Sequence, residues 1–300
     1  MNKIIVFGCG YLGYNIASYF RKSNLVHVLG LTSFYVKFLD SLFTEMDIFD
    51  EALLEKIDFQ DAVVIDCTML ISPAKQYDDE EEILKTVLNE YERLYQFLNK
   101  KGVSQVISFS SGGTIYGNIK NEAKEEGILC PKTFYGDAKV KMELQLQNSS
   151  LPYTIVRLGN LYGGLQEPNK SQGIIPVLLH KAVKQEEFLL WGKLDSIRDY
   201  IFIDDFLVAL EMLVLSEKSK NQIFNIGSGI GVETQNLISL VEETCGEKVR
   251  LKQAEIKNEV HHIVLDISKM KSYFEFDPKI RIRQGIQLEY KRIRDALNLD

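Results

Sequence analysis

The chain has 300 residues, 45% of them hydrophobic, and a formal net charge of −7. That length suits one large domain or a domain with a smaller appendage, and the apolar content is enough for a sizeable core. The acidic balance without a Lys/Arg-rich run argues against nucleic acid as a partner, and no apolar run approaches the ~20 residues of a membrane span.

The first element is a short apolar run, Lys3–Phe7, followed at once by Gly8-Cys9-Gly10-Tyr11-Leu12-Gly13. A helical pattern then runs through Ile16, Ala17 and Phe20, and a second apolar run covers Val26–Leu31. Strand, glycine turn, helix and strand form the context in which GxGxxG predicts a dinucleotide site. Gly8 permits the tight turn, Gly10 lets backbone approach a pyrophosphate, and Gly13 lets the helix pack closely on the strand. The helix N-terminus, from Tyr11 and Leu12 onward, offers N–H groups and a dipole to the phosphates whatever the net charge. The acid expected about 20 positions on, for the adenosine ribose, is missing: Gly30-Leu31-Thr32-Ser33 places hydroxyls there. Thr32 is the candidate at that point, and Lys37 is within reach of a 2′-phosphate. NAD is the expected cofactor, with NADP left open. Because Met1–Phe7 carries no cleavable signal pattern, the expected location is the cytoplasm.

Asp50 reads as the N-cap of a helix over Glu51–Ile57. Ala62–Thr68 is a continuous apolar strand of the kind buried in a parallel sheet, and its end at Thr68 lies where such sheets place ligands. Asp78–Lys101 predicts a long amphipathic helix with a stripe of Leu84, Val87, Leu88, Tyr91, Leu94, Tyr95 and Leu98. Acids at its start, lysines at its end and Gly102 beyond match the helix dipole and a C-terminal stop. Val106–Phe109 is the next strand, opening into Ser110-Ser111-Gly112-Gly113-Thr114-Ile115-Tyr116-Gly117. A helix start past Pro131 then carries Tyr135 and Lys139, four residues apart and so on one helix face. An ammonium beside a phenol favours the phenolate and makes an acid/base for neutral pH. Another strand, Tyr153–Arg157, leads to Asn160.

Strands alternating with helices predict an α/β fold, a Rossmann-type doubly wound parallel sheet with a smaller C-terminal substrate domain. Residues 1–164 form the expected dinucleotide-binding domain, with segments near 198–232 returning to it, and 165–300 are mainly substrate-binding. Leu165–Gly173 is loop-like and Ile174–Lys184 helical. A helix through Val214, a strand at Phe224–Ile226, a helix at Thr234–Cys245, a strand around Ile263–Leu265 and a helix near Ile286–Leu297 follow. The four cysteines, Cys9, Cys67, Cys130 and Cys245, show no metal-ligand spacing, so free thiols and no metal are expected.

This ordered series resembles the extended short-chain dehydrogenase/reductase family, particularly its nucleotide-sugar epimerase and dehydratase members. The residues that carry it are the three glycines, Asp47-Ile48, Ser110–Gly117, Tyr135/Lys139, Arg157-Leu158-Gly159-Asn160, Trp191-Gly192, Arg198-Asp199-Tyr200 and Phe224-Asn225-Ile226-Gly227. The resemblance implies that Asp47 and Ile48 contact adenine, that Tyr135 is the acid/base and that Lys139 lowers its pKa and binds the nicotinamide ribose. It also implies a catalytic hydroxyl after Phe109: counting forward from the strand gives Ser111, counting back from Tyr116-Gly117 gives Gly112, and Ser111 is the favoured residue with Thr114 as the second candidate. Asn160 is implied near a sugar diphosphate and Arg198 near the substrate nucleotide, unless that motif braces the fold. Two departures count: Ile256-Lys257 replaces an expected diphosphate-clamping arginine, and Gly113-Thr114 replaces the Asp-Glu pair of the dehydratases.

The expected function is an NAD-dependent epimerase of a nucleotide-activated sugar, similar to UDP-hexose 4-epimerases and working through a transient keto-sugar. The alternatives are an NAD(P)H-dependent reductase or dehydrogenase, and a non-catalytic dinucleotide sensor. A nucleotide sugar is the expected partner. A homodimer paired through the Asp78–Lys101 and Tyr135–Asn148 helices is the assembly implied.

Overall fold

A computed structural model describes residues 2–167, 173–254 and 260–297. The chain begins β1 (Lys3–Phe7), α1 (Tyr11–Phe20), β2 (Leu25–Gly30), β3 (Phe43–Glu45), α2 (Glu51–Leu54), β4 (Val63–Asp66) and α3 (Glu80–Lys100). It continues through β5 (Gln105–Ser111), α4 (Phe134–Asn148), β6 (Tyr153–Leu158), β7 (Asn160–Tyr162), α5 (Ile174–Val183) and β8 (Glu187–Trp191). The last elements are β9 (Ile197–Phe202), α6 (Ile203–Val214), β10 (Gln222–Ile226), β11 (Gly231–Glu233), α7 (Thr234–Cys245), β12 (Arg250–Ala254), α8 (Ser268–Phe274) and α9 (Ile282–Leu297). No helix among the described residues is long and apolar enough to cross a membrane.

Seven strands form the parallel central sheet in the order β10-β6-β5-β4-β1-β2-β3. β1 sits between β2 and β4, pairing Val6 with Val28 on one side and Ile65 on the other. The strand order reverses there, which makes the C-terminal end of β1 the switch point where doubly wound sheets bind ligands. Ile4, Ile5, Val6 and Phe7 are at most 1% exposed, as expected of a strand covered on both faces. The Rossmann-type sheet expected from the alternating pattern is present.

Compact packing divides the chain into two units: Met1–Ser110 with Thr133–Val156 and Glu211–Phe224, and Ser111–Lys132 with Arg157–Leu210 and Asn225–Asp300. In the first, Asp79 caps α3 by accepting from Glu82 N at 2.9 Å. Three glutamates follow in its first turn and Lys100 lies in its last, the charge order that complements the dipole. Gly102, at φ +70°, takes the left-handed conformation that ends the helix. Leu84, Val87, Tyr91, Leu94, Tyr95 and Leu98 are buried in one cluster with Val64, Val106 and Met142. Each such side chain contributes about 1.5–3 kcal/mol, so the stripe and not local propensity holds α3 in place. Asp50 caps α2 as expected, accepting from Ala52 N and Leu53 N, although α2 stops at Leu54.

In the second unit β9 lies between β7, in parallel, and β11, antiparallel, while β8 and β12 pair in parallel. The strand expected around Ile263–Leu265 is not formed. That segment makes only isolated bridges, Leu265 with Ala123 and His262 with Ile197. Tyr162 of β7 is wedged against α9, where a Cβ at Gly285 would stand 2.0 Å from its hydroxyl. That hydroxyl is buried with no hydrogen-bond partner among the described residues. Burial pushes the phenol above its usual pKa, with Asp205 and Glu289 adding to it. An unpaired buried hydroxyl costs about 1–3 kcal/mol. Tyr162→Phe is therefore expected to raise the urea midpoint at unchanged m-value, and a lower midpoint refutes this account.

Candidate active site

In the first unit the glycine turn leaves β1 with Gly8 at φ +90°, and its N–H donates to Leu29 O at 2.8 Å. A Cβ on Gly8 would press on the Cys67 carbonyl at 3.1 Å, and one on Gly13 would lie 2.0 Å from the Gly8 carbonyl oxygen. A Cβ on Gly10 would meet nothing within 4 Å. Two glycines are thus demanded by close packing, and the third faces open space. Gly10 is also the N-cap of α1 and brings no side chain to it, and the first turn holds no acid. Tyr11 and Leu12 open the helix half-buried. Open space beside an uncapped helix N-terminus fits a pyrophosphate.

Thr32 is exposed just beyond β2. The Ser33 hydroxyl is taken by the Cys9 carbonyl. Lys37 lies over the rings of Phe34 and Phe38 at 4.4 and 5.0 Å. Met46 N donates to Gly30 O at 2.9 Å and sets the turn that follows β3. Within that turn Asp47 is exposed and accepts from Phe49 N at 3.0 Å, and Ile48 is buried. Thr68 follows β4. Its Oγ1 donates to Asp66 Oδ1 at 2.5 Å and lies 2.6 Å from Tyr91 Oη.

Thr133 caps α4 by accepting from Gly136 N at 3.2 Å, which sets Tyr135 in the first turn and Lys139 one turn on. Lys139 Nζ donates to Phe109 O at 2.9 Å and lies 5.9 Å from the Tyr135 ring centroid. Both side chains are half-buried. The lowered phenol pKa expected of this pair is not found: burial pushes Tyr135 up to about 12. Burial pulls Lys139 below the ordinary lysine range, with Asp66 and then Glu143 opposing it. The ammonium donates to a carbonyl, and burial outweighs any help it gives the phenolate.

The remaining candidates belong to the second unit. Ser111 ends β5, and its carbonyl accepts from Thr114 N at 3.3 Å and Ile115 N at 3.2 Å. Gly112 N still pairs with Leu158 O at 2.9 Å, and a Cβ there would stand 2.7 Å from Leu265 Cδ1. A side chain there would have to push Leu265 aside and crowd the Arg157 carbonyl at 3.2 Å. Thr114 Oγ1 is buried without a hydrogen-bond partner among the described residues, whereas Ser111 is half-buried. Asn160 Nδ2 donates to Asp199 O at 2.9 Å, and its Oδ1 lies 3.9 Å from a Cβ built on Gly113. Arg198 Nη1 donates to Ile197 O and His261 O at 3.0 and 3.1 Å, so it holds backbone. Lys257 lies outside the described residues.

Two groups had no role assigned from the sequence. Asp199, 1% exposed, accepts from Ser228 N, Ser228 Oγ, Gly229 N and Leu265 N at 2.7, 2.8, 3.1 and 3.2 Å. It joins the Arg198-Asp199-Tyr200 stretch to the Gly227 turn, where a Cβ would meet its Oδ2 at 2.5 Å. The other is Asp66, a buried acid at the end of an apolar strand; the only signal for it was that acid in such a run. Among the described residues no group of three His, Cys, Asp or Glu side chains could hold a metal ion.

A methyl at Gly13 must displace a backbone carbonyl. Gly13→Ala is therefore expected to weaken dinucleotide binding at least about tenfold, roughly 1.4 kcal/mol, by fluorescence titration. Unchanged affinity refutes the role given to this turn.

Among curated proteins, the chain is 31% identical over 208 residues to a dTDP-4-dehydro-6-deoxyglucose reductase of Escherichia coli, spanning 67% of this chain and 65% of that one. It is 29% identical over 259 residues to a putative UDP-glucose 4-epimerase of Methanocaldococcus jannaschii, covering 82% and 81% of the two chains. Among solved structures, a UDP-glucose 4-epimerase of Thermotoga maritima with UDP-glucose superposes at a TM-score of 0.86 and 29% identity, over 99% of this chain and 100% of that one. Residues 4–227, which hold the glycine turn, Tyr135 and Lys139, match the family described as NAD dependent epimerase/dehydratase. The chain belongs to that family, whose cofactor is NAD.

Proposed function

We propose that this chain is an NAD-dependent epimerase of a nucleotide-activated hexose, an isomerase like the UDP-hexose 4-epimerases. The observation that carries the reading is the Tyr135/Lys139 pair, one turn apart on α4, in the same unit as an open glycine cradle. NAD, when bound, supplies a reversible hydride acceptor. Tyr135 takes the proton of the C4 hydroxyl as the carbon is oxidised, and returns it when the keto-sugar is reduced on its other face. Lys139 supplies the positive charge that the phenolate form needs. Thr114 steadies the reacting oxygen; its buried Oγ1, without a hydrogen-bond partner among the described residues, supports it over Ser111.

Asn160 gives one Nδ2 hydrogen to Asp199 O and has a second to donate to the sugar diphosphate. Arg198 serves the substrate nucleotide indirectly, by holding the backbone of residues 197 and 261. Thr32, Asp47, Ile48 and Thr68 line the cofactor's path in this reading. The Rossmann segments bind the dinucleotide and residues 165–300 mainly bind the sugar. The working form is a cytoplasmic homodimer. Dehydration is disfavoured because Gly113 offers no acid. The Escherichia coli reductase, at 31% identity, favours a second reading, a reductase with net turnover of NAD(P)H.

The two readings separate in the supernatant of the denatured protein. An epimerase regenerates its cofactor at each cycle, so stoichiometric NAD release together with interconversion of UDP-hexoses is expected. A cofactor-free protein that steadily oxidises NAD(P)H with a keto-sugar overturns the epimerase.

Tyr135→Phe is expected to lower kcat by about 10²–10⁴-fold while cofactor binding persists. Thr114→Val is expected to cost more activity than Ser111→Ala, and the opposite order returns the hydroxyl to Ser111.

A further inference from the structure

Asp66 has no part in the chemistry above, yet it is an acid only 5% exposed at the end of an apolar strand. Its Oδ1 is fixed by two donors, Thr68 N at 3.0 Å and Thr68 Oγ1 at 2.5 Å. A hydroxyl has one proton to give. With that proton on Asp66, the 2.6 Å contact between Thr68 Oγ1 and Tyr91 Oη must be donated by the tyrosine. The chain of bonds therefore runs one way, from Tyr91 to Thr68 to Asp66, and every proton in it points at the carboxylate.

The strand register sets this acid one residue away from the backbone acceptor of the lysine. Asp66 of β4 is the partner of Ser108 in β5, and the next residue along, Phe109, supplies the carbonyl that holds Lys139 Nζ at 2.9 Å. A buried carboxylate is costly unless a cation balances it, and the same holds in reverse for the ammonium.

We propose that Asp66 is a positioning residue, the fixed counter-charge that keeps Lys139 an ammonium and acts on Tyr135 only through it. The inference rests on the Tyr135/Lys139 reading given under the proposed function. Burial pulls Lys139 down, and Asp66 is the foremost group holding it up, ahead of Glu143 on the same helix. Burial pushes Asp66 up, opposed by the Thr68 bonds and then by the Lys139 charge. The other titratable groups facing Asp66 are Cys67 beside it and Tyr91 and Tyr95 from α3. Burial drives all three well above their ordinary values, so they stay neutral and cannot replace the charge. Tyr135, on the lysine's own helix, is likewise neutral at about 12.

The sign follows. A lysine held up by a nearby carboxylate loses its proton at lower pH once that carboxylate is removed. The full chain, labelled with ¹³Cε-lysine, is titrated by NMR as the wild type and as Asp66→Asn, with the Lys139 resonance identified by its loss in Lys139→Arg. The Lys139 midpoint is expected to fall in Asp66→Asn and to recover toward wild type in Asp66→Glu. Asp66→Ser gives the same comparison if the amide variant does not fold. Coincident midpoints in the charged and uncharged variants overturn the proposal. With UDP-glucose as substrate, the alkaline limb of the kcat profile is expected to move to lower pH in Asp66→Asn and to return in Asp66→Glu. A Lys139 midpoint that moves in a protein without turnover leaves the charge pair standing and removes the epimerase reading instead.

Discussion

In the first unit α1 is held close to the end of β1, where Gly13 lies against the Gly8 carbonyl so tightly that a Cβ would sit 2.0 Å from the oxygen. That contact aims the α1 N-terminus over the switch point of the sheet. Gly8 can bend the chain there only because φ +90° is open to it. The rest of the unit follows from this placement. β1 must be apolar on both faces to lie between β2 and β4, and α3 must bring an apolar stripe to cover the sheet.

At the same sheet ends, electrostatics is set by burial before it is set by pairs. Tyr135 and Lys139 are neighbours on one helix face, yet the phenol is pushed up to about 12 by its surroundings. The ammonium turns to the Phe109 carbonyl at 2.9 Å. Helix spacing places two groups side by side, but it does not decide where the charge of one is directed. Asp66 and Glu143 enter that balance through the fold: one lies on a strand 73 positions earlier in the chain, the other on the next helical turn.

In the second unit, several motif residues that look like substrate contacts hold the frame. Arg157, 3% exposed, donates to Tyr116 Oη at 2.9 Å and Glu125 O at 2.7 Å. Tyr116 in turn donates to Asn225 Oδ1 at 2.7 Å. Together with the Asp199 cluster, these bonds tie five separated stretches into one support. Buried polar groups of this kind are stable only when fully bonded, which ties the residue types at these positions to one another.

Local rules were enough to read the sheet, α1, α3 and α4, because strand burial, the glycine turn and a capped amphipathic helix each leave a periodic or compositional mark within about 20 residues. The same rules singled out Gly8, Gly10, Gly13, Tyr135 and Lys139 for their spacing. The short strands β7, β11 and β12 left no such mark, since they are held by neighbours far along the chain. The Ile263–Leu265 run shows the reverse: its apolar residues read as a strand, and only tertiary contacts made it a set of single bridges. The direction of the Lys139 ammonium, the crowding at Gly112, the burial of the Thr114 hydroxyl and the influence of Asp66 on the lysine were decided by tertiary structure alone. Each depends on distances between residues that sequence separation does not constrain.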